Sequence, residues 1–357
     1  METRLPTEIL DEILDYLYTH HIKKLRIYRI TFKKTQTSIE GIQKHESVNY
    51  KALASVCRTS RRLNQLATWR LYHSLTNFET RDRWRQIART LIARPDIAQL
   101  VKHLILHDTA PVCQVGEWAG GLDQSLPPEV NDHFKRLVVQ YPEAGFTPTE
   151  LSRRFMAENN LTAQLALMAS LCPNLDMLDC NIYPDTNCVE YGFCPPGSMQ
   201  SLHSLRIQFT DCFLSPFSLR PGFQLLRAAP NIRFLRIFSA KGCHIPKDLV
   251  LKELTEVDLR MCLMHEEQFV AFLKMCPNLR RLRYKHYKHD PDWRSAVEGM
   301  GFSPVTAALA VSLHAPNLEY FQLDLVGLQK DPFGEFDKVP YALQILEKLG
   351  IEAKFRF

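Results

Sequence analysis

The residues of this chain best suited to chemistry are two short pairs, Cys262-x-x-His265 and His286-x-x-His289. Thiolate and imidazole groups at such intervals can close a tetrahedral zinc site. One pair follows the fifth and the other the sixth of the strand segments described below, where polar surface residues are expected in any case. Cys188 and Cys194, with Cys180 nearby, have no recognised ligand spacing. No Walker loop, no G-x-G-x-x-G after a strand, no G-x-S-x-G and no H-E-x-x-H occurs. The ten cysteines include no C-x-x-C pair, and they read as reduced, mostly buried small residues. The expectation is a chain with no catalytic residue, no cofactor and no metal, whose activity lies in what it binds.

Composition and charge bound the partners. At 357 residues and 45% hydrophobic content, the chain can bury a large core and hold a small module plus one extended domain. No apolar run approaches the roughly 18 residues that span a bilayer, and no secretory signal is visible, so a cytosolic or nuclear chain without membrane contact is expected. The net charge of +5 is unevenly spread: residues 1–19 carry −4, residues 20–105 carry +13 and residues 106–357 carry −4. Clustered Lys and Arg can neutralise phosphates. No nucleic-acid-binding fold signature accompanies them here, and solvated helix faces with an exposed loop explain the excess.

The elements that must position a binding surface begin at the N-terminus. In Leu5-Pro6-Thr7-Glu8-Ile9-Leu10-Asp11-Glu12-Ile13-Leu14-Asp15-Tyr16-Leu17 the apolar residues Ile9, Leu10, Ile13, Leu14 and Leu17 fall on one side of a helix. Pro6 suits its first turn, and Glu8, Asp11 and Glu12 complement the helix dipole. Two further segments follow: Leu53-Ala54-Ser55-Val56-Cys57-Arg58-Thr59-Ser60-Arg61-Arg62-Leu63, and Trp69-Arg70-Leu71-Tyr72-His73-Ser74-Leu75, whose Trp-Arg-Leu-Tyr reads as a short closing helix. Read together over about residues 4–76, these segments resemble an F-box, the small helical bundle that docks on the Skp adaptor of SCF-type cullin–RING ubiquitin ligases. The resemblance implies that Leu5, Pro6, Ile9, Leu10, Ile13 and Leu14, with Val56, Cys57 and Leu71, bury partly against that adaptor. The segment at about 20–49 mixes β-branched and basic residues before a polar stretch, and it reads as a tolerated loop insertion, a translated intervening sequence or a basic loop extending the module toward a partner.

Beyond residue 90 the dominant pattern is an internal repeat. A helix-like segment runs into a small residue, Pro, Asn and an aliphatic residue four times, at Cys172-Pro173-Asn174-Leu175, Ala229-Pro230-Asn231-Ile232, Cys276-Pro277-Asn278-Leu279 and Ala315-Pro316-Asn317-Leu318. Proline cannot continue a helix and Asn favours the turn, so each is a helix stop. Seven segments fit Leu-x-x-Leu-x-Leu: Val101/Leu104/Leu106, Leu175/Leu178/Cys180, Leu202/Leu205/Ile207, Ile232/Leu235/Ile237, Leu254/Val257/Leu259, Leu279/Leu282/Tyr284 and Leu318/Phe321/Leu323. They resemble the degenerate leucine-rich-repeat domains that follow F-boxes in fungal proteins, as does Ala93-Arg94-Pro95-Asp96-Ile97 ahead of the first strand.

The expected fold is α/β: an F-box module over 1–77 interrupted at about 20–49, a connecting helix within 78–95, and an irregular leucine-rich-repeat solenoid over 96–357. The solenoid has a parallel inner sheet, outer helices and a C-terminal cap from Val339 to Phe357. A long excursion is expected over Asp108 to Asn160, with a helix near Val130 to Gln140.

Strand alternation turns Asp179, Arg206, Arg236, Asp258, Arg283 and Gln322 out of the inner sheet, as substrate-facing candidates for a protein of mixed charge. The resulting expectation is a non-catalytic substrate-recognition subunit, linked through the Skp adaptor to cullin and RING subunits. Two other classes compete. One is a non-ligase interaction scaffold with a degenerate F-box, and the other a nucleic-acid-binding protein using the basic 20–105 region.

Overall fold

Among the described residues of the N-terminal part, three helices hold a small core of their own. Helix α1 spans Thr7–Arg26, α2 residues 52–59 and α3 Arg61–His73. Leu14, Leu53 and Ala67, one from each helix, meet in the middle, with Leu17, Val56, Cys57, Leu66 and Leu71 packed around them. Ser60 caps α3, its hydroxyl accepting from the Leu63 N–H at 3.2 Å. These are features of a computed structural model, which describes residues 5–26, 52–76, 81–106, 128–140, 167–182, 196–209, 220–238, 245–262, 264–286, 303–324 and 338–356. Most of the 20–49 insertion and much of the 108–160 excursion lie outside those residues. Its start does not, because α1 runs past Leu17 to Arg26.

A buried arginine locks α1 to α3. The Arg70 side chain, at residue exposure 4%, donates to the Asp15 carboxylate at 2.6 and 2.8 Å and to Asp11 Oδ1 at 3.2 Å. It also donates to the Leu66 carbonyl at 2.8 Å, and its guanidinium lies 4.4 Å from the Trp69 ring centre. A buried cation needs such partners, since its desolvation is otherwise uncompensated.

Among the described residues nine strands follow in one sheet: β1 Ser74–Thr76, β2 His103–Leu106, β3 Met177–Ile182, β4 Ser204–Phe209, β5 Phe234–Phe238, β6 Glu256–Cys262, β7 Arg281–His286, β8 Tyr320–Asp324 and β9 Glu352–Arg356. All pair in parallel and in chain order. Strands β2 to β8 fall on the seven Leu-x-x-Leu-x-Leu segments. The expected closing Trp-Arg-Leu-Tyr helix is the end of α3, and Ser74–Thr76 form strand β1. Helix α3 stops at His73, and the next residues pair with β2, so the helical module runs directly into the sheet.

Between strands lie α4 Arg81–Ala93, the short α5 Pro95–Ala98, α6 Pro128–Gln140, α7 at residues 167–171, α8 Arg220–Ala228, α9 Glu266–Met275, α10 Pro304–His314 and α11 Val339–Lys348. Parallel neighbours require such crossovers. Two buried rows of strand residues, Leu178, Leu205, Leu235, Val257, Leu282 and Phe321, and Cys180, Ile207, Ile237, Leu259, Tyr284 and Leu323, share one core with Leu226, Phe269, Phe272, Val311 and Leu346 of the helices.

The Pro-Asn stops do more than end helices. Their small residues Cys172, Ala229, Cys276 and Ala315 are buried, and each carbonyl accepts from the aliphatic N–H three residues on, at 3.1–3.4 Å. Each Asn side chain donates to a carbonyl of the preceding repeat: Asn174 to Gln99 at 3.0 Å, Asn231 to Gln200 at 2.8 Å, Asn278 to Lys252 at 2.9 Å and Asn317 to Pro277 at 3.2 Å. The stop therefore also ties one repeat to the next.

The last repeat closes on a glycine. After α11, Gly350 takes φ +73°, its N–H donating to Glu347 O at 2.9 Å while the Ile351 N–H donates to Leu346 O at 3.0 Å. This is a Schellman end, closed by buried Leu346 and Ile351. No atom lies within 4 Å of a Cβ added at Gly350, so Gly350→Ala meets only the left-handed backbone and should cost about 1 kcal/mol. A thermal melt of the variant measures it.

Candidate binding surfaces

The apolar side of α1 divides in two. Leu14, at 1% exposure, is the centre of the helical module rather than part of its surface, and Val56, Cys57 and Leu71 pack against it. Of these four expected adaptor contacts Leu14 is internal, because α2 and α3 cover it, while Val56, Cys57 and Leu71 stay half-buried. Leu10 is half-buried and Pro6 exposed. Leu5, just ahead of α1, is 52% exposed, and Ile9 and Ile13, one turn apart on the helix, are 44% and 51% exposed. Glu8 and Glu12 flank the stripe.

The second surface is the polar face of the sheet. One registered row runs Asp179, Arg206, Arg236, Asp258, Arg283, Gln322 and Lys354 across β3 to β9. All six substrate-facing candidates are therefore brought together. They are not equivalent. Asp258, at 2% exposure, accepts from Arg236 Nε at 3.0 Å and from Arg260 Nε at 2.9 Å, so it is an internal counter-ion. Arg206 Nη1 stands 3.6 Å from Asp179, and Arg283 Nη1 3.8 Å from Glu256.

Phe234 and Tyr320, one row earlier, carry cations on their rings. The Arg206 and Arg236 guanidiniums lie 5.7 and 5.4 Å from the Phe234 centre, and those of Arg281 and Arg283 lie 5.5 and 5.8 Å from Tyr320. Burial pushes the Arg236 guanidinium below its ordinary value; Asp258 opposes this, while Arg260 and Arg206 add to it.

At the N-terminal ends of the first strands a cleft of about 480 Å³ is lined by His73, Lys102, His103, Asn174, Asp176 and His203 among others. His203 Nδ1 lies 2.7 Å from Asp176 Oδ1. The His73 ring meets His103 edge-on at 4.8 Å and Trp69 at 5.9 Å. Burial, with Lys102 adding and Asp176 opposing, holds His73 below its ordinary value of 6.5.

A histidine lowered by folding takes its proton more readily when unfolded. The stability it permits is whole above 6.5 and falls as pH drops from there toward the lowered value. His133, also lowered by burial, acts in the same sense. The melting temperature should therefore decline on acidification below 6.5, and His73→Gln should flatten part of that decline in melts run across pH.

The cysteine and histidine pairs are spread over structural duties. Cys262 is buried, and the Tyr284 hydroxyl donates to its carbonyl at 2.8 Å. His265 precedes α9, its N–H donating to Gln268 Oε1 at 3.0 Å. His286 is the register partner of Cys262, and His289 lies outside the described residues. Among the described residues no group of three or more His, Cys, Asp or Glu is placed to hold a metal. Burial pushes the Cys172 thiol up to about 12 and raises Cys180 and Cys276 as well, so these thiols pack rather than react.

Of the basic residues in 20–105, Arg70 is internal, Arg62 donates to the Thr7 hydroxyl and Arg94 pairs with Asp96. No helix among the described residues is long and apolar enough to cross a membrane. No protein-family model and no curated protein matches this chain.

Proposed function

We propose that this chain is the substrate-recognition subunit of an SCF-type cullin–RING ubiquitin ligase. The N-terminal helices act as an F-box docking on a Skp adaptor, and the sheet with its helices acts as a leucine-rich-repeat solenoid that holds the substrate. The observation that carries this reading is the exposed apolar group of Leu5, just ahead of α1, and Ile9 and Ile13 on that helix, whose other face is already packed. Burying the exposed half of each such side chain against a partner is worth about 1 kcal/mol, so the stripe contributes to docking alongside its neighbours.

Catalysis on this reading is positioning. The chain holds a lysine of its substrate near a thioester carried by another protein and raises the effective concentration of the two. It needs no nucleophile of its own. The test is a pull-down of the purified chain with a Skp adaptor at low and high salt. Apolar docking survives high salt, whereas attraction through the basic 20–105 region collapses with it.

A further inference from the structure

The polar face of the sheet holds more positive charge than it neutralises, and it holds it in an ordered array. Arg206 and Arg236 sit side by side on β4 and β5, a like-charged cross-strand pair that the fold itself does not reward. The buried carboxylate of Asp258 accepts from Arg236 and Arg260. Arg236 makes no hydrogen bond through its terminal nitrogens among the described residues. Arg206 has a long ion pair from Nη1 to Asp179 at 3.6 Å, and its Nε is buried without a hydrogen-bond partner among them. Arg283, two strands beyond Arg236, has a long ion pair with Glu256 and the face of the Tyr320 ring, and no hydrogen bond from its side chain among the described residues.

We propose that this face binds an extended peptide rich in Asp and Glu, one carboxylate seated between Arg206 and Arg236 and another on Arg283. Neighbouring strands are roughly 4.8 Å apart, so adjacent guanidiniums can share one carboxylate. The step from Arg236 to Arg283 is roughly 10 Å, which an extended peptide covers in about three residues. Phe234 and Tyr320 lie beside the two positions and offer rings to the intervening side chains. A nucleic acid fits less well, because Asp179, Glu256 and Asp324 interrupt the positive charge along the face. Calling the peptide a substrate rests on the receptor role proposed above; the binding itself does not.

The test uses the full chain and a fluorescein-labelled peptide with Glu at every third position, its Gln counterpart, and oligothymidylate, read by fluorescence anisotropy. The Glu peptide should bind at least tenfold more tightly than the Gln peptide. Arg206→Gln and Arg283→Gln should each weaken it about tenfold while Arg206→Lys weakens it less. Neither Gln variant removes a partner of buried Asp258, and thermal melts confirm that both fold. Equal binding of the two peptides, no binding, unchanged affinity in both Gln variants, or tighter binding of the oligonucleotide overturns the proposal. A chain carrying Ile9→Asp and Ile13→Asp should bind the peptide as before, which separates this outcome from any failure to bind the adaptor.

Discussion

Replacing Ile9 and Ile13 together with Asp is expected to abolish capture of a Skp adaptor while leaving the melting temperature within about 2 °C of the parent. Both side chains are about half exposed, so the fold loses little when they change. A docked complex loses the burial of two large apolar groups and must desolvate two carboxylates, roughly 4–6 kcal/mol together, or at least about a thousandfold in affinity. Leu14→Ala supplies the contrast. Leu14 fills the centre of the helical module, and its truncation should destabilise that module by about 3 kcal/mol and expose it to limited proteolysis. Retained co-purification of the Ile9 and Ile13 double variant with the adaptor would refute the docking surface. Loss in the Leu14 variant alone would mean only that the module had unfolded.

Phe269→Ala is expected to be the most damaging single truncation in the sheet domain. Phe269 is 1% exposed, meets Tyr284 edge-on at 6.0 Å and lies 6.5 Å from Phe321, so one side chain on α9 joins the packing of β7 and β8. Removing the ring should leave a cavity bordered by rigid aromatic partners and cost roughly 3–5 kcal/mol. That corresponds to a fall of about 10 °C in melting temperature. Each strand pairs only with its chain neighbours, so the loss should appear first as faster amide exchange from α9 toward β9. Uniform loosening reaching back to β2 would contradict that local arrangement.

The strands and their stops could be read directly from the chain. Leu-x-x-Leu-x-Leu marks β2 to β8 because strand alternation is local, and Pro ends a helix wherever the chain then goes. The connecting helix expected within 78–95, the helix near 130–140 and the cap from Val339 fall at Arg81–Ala93, Pro128–Gln140 and Val339 to Arg356 for the same reason. The asparagines of the stops carried a weaker signal. Their recurrence at one position was visible, but the carbonyl each one reaches belongs to the preceding repeat.

What the sequence determined by itself is therefore the periodic part of this protein: a repeating strand, stop and helix, with apolar residues facing one way and charges the other. Tertiary structure alone decided how those residues divide their duties. Ile9, Leu10, Ile13, Leu14 and Leu17 form a stripe wider than one packed face, and only the seating of α2 and α3 made Leu14 core and left Ile9 and Ile13 exposed. Arg70 looked like one more basic residue until α1 placed Asp11 and Asp15 around it. Asp258 looked like one charge in an alternating row. Register across β5 and β6, together with the reach of Arg260 within its own strand, turned it into a shared internal counter-ion, because a carboxylate's partners are set by which strands lie beside it.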